Sequence, residues 1–266
     1  MIPRRSDWIS ILLLLLASCS LPKAACFSTW TPPSFGLASL LFPVRNAQVV
    51  SFTELSQQDP SFNSRATMVQ ASDFFVDAFW TNKVGGGAKQ LSSSQLRDLR
   101  RSQLAEFNKR YAPRFLDEYS QFFVVQDNDD NDTILACVGI ELDVIRADGL
   151  SSPQILERSA PLMSNLAVSP ACRRRGLAEQ LVQTVEEYIV ETWPEQEACY
   201  LLVEARNKRA VRLYEKLGYE TIWADDEAET LLPTSNGKMA MDPTTILCMK
   251  KNLRGGNNPF AALFRR

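Results

Sequence analysis

The sequence predicts one mixed α/β domain of the α+β type, a mostly antiparallel sheet with flanking helices. Three observations predict it. Two strand-like runs, residues 121–126 and 134–145, flank the polar stretch from Asp127 to Asp132, which is hairpin grammar. From Pro161 onward the order becomes strand, helix, strand, helix, strand. The chain is 266 residues long, 45% hydrophobic and 23% charged, enough apolar material for one well-filled core.

Order is expected to begin near Arg65. Residues 66–70 read as a first strand. Residues 72–80 read as a helix with Ser72 as N-cap. Gly85, Gly86 and Gly87 break the chain. Residues 92–111 repeat Leu96, Leu99, Leu104 and Phe107 among polar side chains, an amphipathic helix stopped by Pro113. After the hairpin, residues 149–153 interrupt. Residues 161–168 are an apolar strand and residues 176–191 a helix with Leu177, Leu181, Val185 and Ile189 on one face. Residues 200–203 are a strand and residues 207–217 a helix. Residues 219–223 and 245–249 are two last strands joined by a long loop. The run from Asp127 to Asp132 lacks the central glycine and terminal glutamate of a calcium loop, so it is read as a solvated turn.

Residues 1–26 read as a signal-type leader. Arg4 and Arg5 precede an apolar stretch over residues 9–17, too short for a bilayer span, and small residues follow. No acidic residue occurs from Trp8 to Thr53, a stretch rich in Ser, Thr, Pro and Ala, and residues 27–64 carry several Pro and Ser with no sustained period. A leader followed by Phe27 and an acid-free segment resembles the two-part leader of algae with secondary plastids. It implies a plastid destination; a plain secretory signal with a linker is the alternative. Residues 27–64 are expected to be transit-like or disordered, residues 65–253 the folded domain and residues 254–266 a basic flexible tail. No stable membrane anchoring is expected once the leader is removed.

The chain has no histidine. That excludes Ser-His-Asp triads, Cys-His dyads and His-ligated metal sites, and leaves proton transfer to Asp, Glu, Tyr, Lys, Cys or water. Cys137, Cys172, Cys199 and Cys248 are scattered without a CxxC pair, so no metal is expected and the thiols read as reduced and mostly buried. A net charge of −2 gives no global attraction to nucleic acid.

Chemistry concentrates where the strand ending at Pro170 meets the next helix. Arg173, Arg174 and Arg175 make a basic turn, and Gly176, Leu177 and Ala178 open the helix. A helix N-terminus offers unpaired N–H groups and partial positive charge, which suits a diphosphate. Gly176 allows close backbone approach. No Gly-Lys-Ser/Thr follows, so the turn is not a P-loop, and the dinucleotide spacing is absent as well.

The segment resembles motif A of the GNAT superfamily of N-acetyltransferases: Gln or Arg, two residues, Gly, one residue, then Gly or Ala. Arg173, Gly176 and Ala178 match it. One strand later, residues 207–219 resemble motif B, with Asn207, Ala210, Leu213-Tyr214 and Gly218-Tyr219 in place. The resemblance spans about residues 65–252 and is most specific over 165–219. It implies acetyl-CoA as co-substrate, no metal, and a central strand pair that splays. The backbone of Leu166, Ala167 and Val168 would then bind the pantetheine arm, residues 173–178 the pyrophosphate and Asn207 the cofactor arm. Tyr214 would be the acid near the sulfur, a role a phenol with pKa near 10 can fill.

The resemblance leaves the acceptor open. In bacterial ribosomal-protein N-terminal acetyltransferases the strand before motif B carries a glutamate where this chain has Leu202. Glu204 keeps that strand face two residues on, and Glu141 on the hairpin is a second candidate base; each reads equally as a surface or salt-bridged carboxylate. The expected acceptor is a protein or peptide amine, at N-terminal α-amines, lysine side chains or both. The alternatives are a small amine such as a polyamine, or a non-catalytic acetyl-CoA-binding module. The acidic run of Asp225, Asp226, Glu227 and Glu229 reads first as a solvated loop; attraction of a cationic acceptor, protein or small amine, is the alternative. Nucleic acid is not expected as a partner.

Overall fold

The computed structural model describes residues 47–58, 64–83, 90–112, 115–127, 133–147, 154–155 and 159–254. The elements are β1 (Ala47–Ser51), α1 (Phe52–Gln58), α2 (Ser64–Phe79), α3 (Ser93–Arg110), β2 (Ser120–Asp127), β3 (Ile134–Asp143), β4 (Arg146–Ala147) and β5 (Gln154–Ile155), then β6 (Ala160–Val168), α4 (Leu177–Thr192), β7 (Ala198–Glu204), α5 (Lys208–Lys216), β8 (Glu220–Asp225), β9 (Glu229–Pro233), β10 (Met239–Pro243) and β11 (Ile246–Asn252). Seven strands form one sheet in the order β1-β2-β3-β6-β7-β11-β8. Every pairing in it is antiparallel except β6 with β7, which is parallel.

The sheet is buried on both faces, so its central strands read as continuous apolar runs. Alternation sends Phe123, Val125, Ala136, Val138 and Ile140 to one core with α4 and α5. Phe122, Val124, Ile134 and Cys137 face the other core, with α2 and α3. On α4, Leu177, Leu181, Val185 and Ile189 are all essentially inaccessible, the face expected from their spacing. On α3, Ser92 and Gln95 form a reciprocal capping box.

Three expectations are corrected. Order begins before Arg65: Ala47–Ser51 pairs with β2 in an unbroken antiparallel register from Ala47↔Asp127 to Ser51↔Phe123, and Phe52 is buried behind it. Residues 66–70 are not a strand; they continue α2, because Met68, Ala71, Phe75 and Ala78 recur every three to four residues and are all buried. Ser72 is thus mid-helix, its hydroxyl donating to the Val69 carbonyl at 2.8 Å rather than capping. The long loop after β8 carries the β9–β10 hairpin, whose Leu231 and Met239 pack onto the α2–α3 core. Gln95 Nε2 holds that hairpin by donating to the Lys238 carbonyl at 2.9 Å. The leader expectation for residues 1–26 and most of the tail lie outside the described residues.

Candidate functional site

β6 ends at Val168, and the short 3-10 turn Pro170–Cys172 leads into the basic turn. Arg174 (φ 65°) and Gly176 (φ 86°) both take the left-handed conformation, which folds the chain back so that α4 starts abruptly. Gly176 is the N-cap and supplies no side-chain cap. The first amides of α4, at Leu177, Ala178 and Glu179, therefore have no intrahelical acceptor. That is the geometry expected of a diphosphate cradle.

The three arginines separate in the structure. Arg173 is exposed but tied to backbone: its Nε donates to the Val168 carbonyl at 3.2 Å and its Nη2 to the Ala78 carbonyl at 2.9 Å. It staples the turn to the C-terminal end of α2, where a cation is favoured. Arg174 and Arg175 are exposed and carry no ion pair among the described residues.

The two parallel strands diverge. β6 and β7 pair only at Leu162↔Tyr200 and Met163↔Leu201. Beyond Met163 the β7-facing edge of β6, with Leu166, Ala167 and Val168, has no strand against it among the described residues. The divergence begins at a bulge, where Asn165 is left-handed (φ 56°) and the β3 register shifts between Cys137 and Gly139.

Opposite that edge, β7 leads into α5. Asn207 caps α5, its side chain accepting from the Ala210 amide at 3.3 Å. Tyr214 lies on the buried face of α5 and packs edge-on against Tyr219, ring centroids 5.9 Å apart. Burial, and then the Cys199 thiol, push its phenol well above the ordinary range, so it stays protonated. Its hydroxyl has no hydrogen-bond partner among the described residues. A neutral phenol there can give up a proton.

The two candidate bases are not brought together. Glu141 pairs with Leu162, at the start of β6, whereas Glu204 ends β7, at the end of the sheet that carries the basic turn. Six residues of strand separate Leu162 from Val168, on the order of 20 Å. Glu141 is bound by Arg110 at 2.6 Å, and Arg110 also meets Glu106 at 3.2 Å. Burial still holds the Glu141 carboxyl above its usual value. Glu204 is near the turn but occupied. Lys83 lies 3.2 Å from one oxygen, Arg206 is 2.7 Å from the other, and the Thr230 hydroxyl donates at 2.9 Å. Of the two readings the sequence leaves for each carboxylate, a base or a salt-bridged group, these pairings are those of the salt-bridged one.

Lys83, Thr230, Arg206 and Asp242, which binds Arg206 at 2.8 Å, had no local sequence signal. They come from an inter-helix loop, a hairpin and a strand end that only the fold brings together. Tyr111 is a further residue of this kind.

Residues 88–219 match the acetyltransferase (GNAT) family. Similar solved structures include the ribosomal-protein-S18-alanine N-acetyltransferase of Escherichia coli, at 18% identity, TM-score 0.44, covering 80% of this chain and 97% of that one. A chimera of the Vibrio cholerae spermidine N-acetyltransferase SpeG and hSSAT is 14% identical, TM-score 0.47, over 83% and 99%. Arabidopsis thaliana NAA60, in complex with a bisubstrate analogue, is 19% identical, TM-score 0.40, over 61% and 94%. No curated protein matches the chain. The matched span holds the basic turn, the diverging strands, Asn207 and Tyr214 in one continuous stretch, and with it this chain carries an acetyltransferase domain of the GNAT family.

Proposed function

We propose that the domain transfers the acetyl group of acetyl-CoA to protein N-terminal α-amines in preference to lysine side chains. The open edge of β6 at Leu166, Ala167 and Val168 suits the pantetheine arm. The amides of Leu177 and Ala178, with Arg174 and Arg175, suit the pyrophosphate, and the amide nitrogen of Asn207 is left for the arm after its oxygen caps α5. The amine nitrogen forms the new C–N bond as the C–S bond breaks; Tyr214 gives its proton to the sulfur, the nitrogen's surplus proton leaves to water, and water returns one proton to the Tyr214 phenolate.

The pairing of Glu204 with Lys83 and Arg206 carries the preference. With Glu204 engaged and Glu141 at the far end of the sheet, the acceptor has to arrive already neutral. At pH 7 roughly one α-amine in ten is neutral, against about one lysine in 2,500. That difference alone favours α-amines by a few hundredfold.

The test compares acetylation of a lysine-free peptide with a free N-terminus, an N-blocked peptide containing lysine, and spermidine, read by mass spectrometry at pH 7. At least a hundredfold advantage in kcat/KM for the α-amine is expected. Comparable rates on lysine or spermidine would overturn the preference. The acid-free segment behind the leader further supports a plastid destination as part of this proposal. A fluorescent fusion of residues 1–60 found outside the plastid would count against it.

A further inference from the structure

We infer that Tyr111 is a positioning residue for the cosubstrate-binding strand: its hydroxyl holds the Ser164–Asn165 bulge from which β6 turns away from β7. The inference rests on the proposal that acetyl-CoA lies along β6.

Tyr111 caps the C-terminus of α3, with none of its surface accessible. Its ring is fixed by Phe107, edge-on at 5.6 Å, and by Phe122, tilted at 4.8 Å. The phenol is aimed across the sheet. Its oxygen accepts from Asn165 Nδ2 at 2.8 Å and pairs with Ser164 Oγ at 3.0 Å; Asn165 Nδ2 also donates to Ser164 Oγ at 3.1 Å. Three polar groups thus close a triangle whose Ser164 and Asn165 corners are half-buried and whose Tyr111 corner is wholly buried, where an unpaired hydroxyl would be costly.

The path of the phenol is cleared by Gly139 on β3, the ladder partner of Ser164. A Cβ added there would lie 2.1 Å from the Tyr111 hydroxyl. Any side chain at that position would displace the phenol from the bulge. The triangle sits at the branch point: the last β6–β7 ladder pair is Met163↔Leu201, and Ser164 and Asn165 follow at once. Asn165 is left-handed there, a conformation that asparagine tolerates better than most residues but that still needs holding. The Asn165 side chain is the part that Tyr111 grips. A regular strand through Asn165 would swing that amide away from the phenol and shift the backbone of Leu166, Ala167 and Val168.

A simpler role for the hydroxyl is satisfaction of a buried polar cluster. Stability alone would then respond to its removal. The two roles separate in binding, measured by calorimetry with coenzyme A at a temperature where every variant is folded by circular dichroism. Tyr111→Phe is expected to raise Kd for coenzyme A about tenfold and KM for acetyl-CoA in parallel, with KM for the peptide amine unchanged. Asn165→Gly relieves the backbone demand at the bulge, so the Tyr111→Phe, Asn165→Gly double variant should recover most of the lost affinity. Ser164→Ala, which removes one side of the triangle and leaves the aromatic packing intact, should shift Kd in the same direction and serves if Tyr111→Phe does not fold. An unchanged Kd in Tyr111→Phe, or in Ser164→Ala in its place, overturns the inference while leaving the site reading intact. Failure of the unmodified protein to bind coenzyme A overturns the site reading itself.

Discussion

Lys83 Nζ lies 3.2 Å from Glu204 Oε1, with the two side chains only 2% and 12% exposed. Lys83 also donates to the Thr230 hydroxyl at 2.8 Å and stands 4.4 Å from the Trp80 ring centroid. The two partners are not equivalent. Burial pushes the Glu204 carboxyl up, but the charge of Lys83 and hydrogen bonds from Arg206, Thr230 and Lys83 outweigh it and leave the carboxyl below its usual range. Burial pulls the Lys83 ammonium down, and one carboxylate does not restore it against the nearby Arg206 charge. Among the described residues, Glu204 is shared by two cations and Lys83 has one anion.

Acid stability should register this pair. A carboxyl whose folded pKa is depressed stabilises the fold above its unfolded value, about 4.3, and loses that contribution as pH falls through the lower folded value. Thermal melting of the unmodified protein should therefore fall more steeply between pH 5 and 3, limits set to about one unit either side of the unfolded value, than that of Glu204→Gln. Parallel slopes would remove Glu204 as a source of acid sensitivity. Lys83→Ala, which leaves a largely buried carboxylate with Arg206 as its one cation and the Thr230 hydroxyl as its other partner, should cost about 3 kcal/mol at pH 7 by chemical denaturation.

Tyr214→Phe removes the proton donor and keeps the edge-on packing with Tyr219. Turnover should drop roughly a hundredfold, with Kd for acetyl-CoA unchanged within a factor of two or so. Undiminished kcat would take Tyr214 out of the mechanism.

The arginines of the basic turn should behave differently from one another. Arg173→Ala severs the staple to the Ala78 and Val168 carbonyls and should lower stability by about 2 kcal/mol. Arg174→Ala and Arg175→Ala should leave stability within about 0.5 kcal/mol, weaken acetyl-CoA binding and flatten its salt dependence. Melting curves and binding at two salt concentrations decide it. Equal effects from all three would contradict the division of labour seen in the turn.

Thiol reactivity should be selective. Cys137, Cys199 and Cys248 are buried, and burial pushes the thiols of Cys199 and Cys248 up to about 12. Cys172 is half-buried, on the turn after β6. Among these four, iodoacetamide at pH 8 should modify Cys172 first, as read by peptide mapping; early labelling of Cys199 would mean that β7 opens readily.

Much of the fold is legible in the sequence, because the central elements carry strong periodicity. The stripe Leu177, Leu181, Val185 and Ile189 and the apolar runs of β2 and β3 each admit one reading. Residues 66–70 do not: a run with Thr67 and Val69 suits a strand until the burial of Met68 and Ala71 on one helical face is known. The β9–β10 hairpin is hidden because its strands are short, each ends in proline, and its burial is against α3 rather than within a local pattern.

The site divides the same way. Arg173, Gly176, Asn207 and Tyr214 stand out because caps, left-handed turns and helix faces are local geometry, encoded within a few residues. Lys83, Thr230 and Asp242 belong to an ion-pair network assembled from distant segments, and Tyr111 reaches its partners only because Gly139 lacks a side chain. Interactions of that kind have no spacing to read. The local motif therefore marks the turn but says nothing of the cations that occupy Glu204.

The short ladder between β6 and β7 also has a mechanical meaning. Two residue pairs join the β1-β2-β3-β6 half of the sheet to the β7-β11-β8 half, whereas seven pairs run along β7 and β11. Load applied across the strands falls on that seam first. The two half-sheets then part like leaves on a hinge, each still internally laddered, and α4, which crosses from one to the other, becomes the strap that limits how far they open.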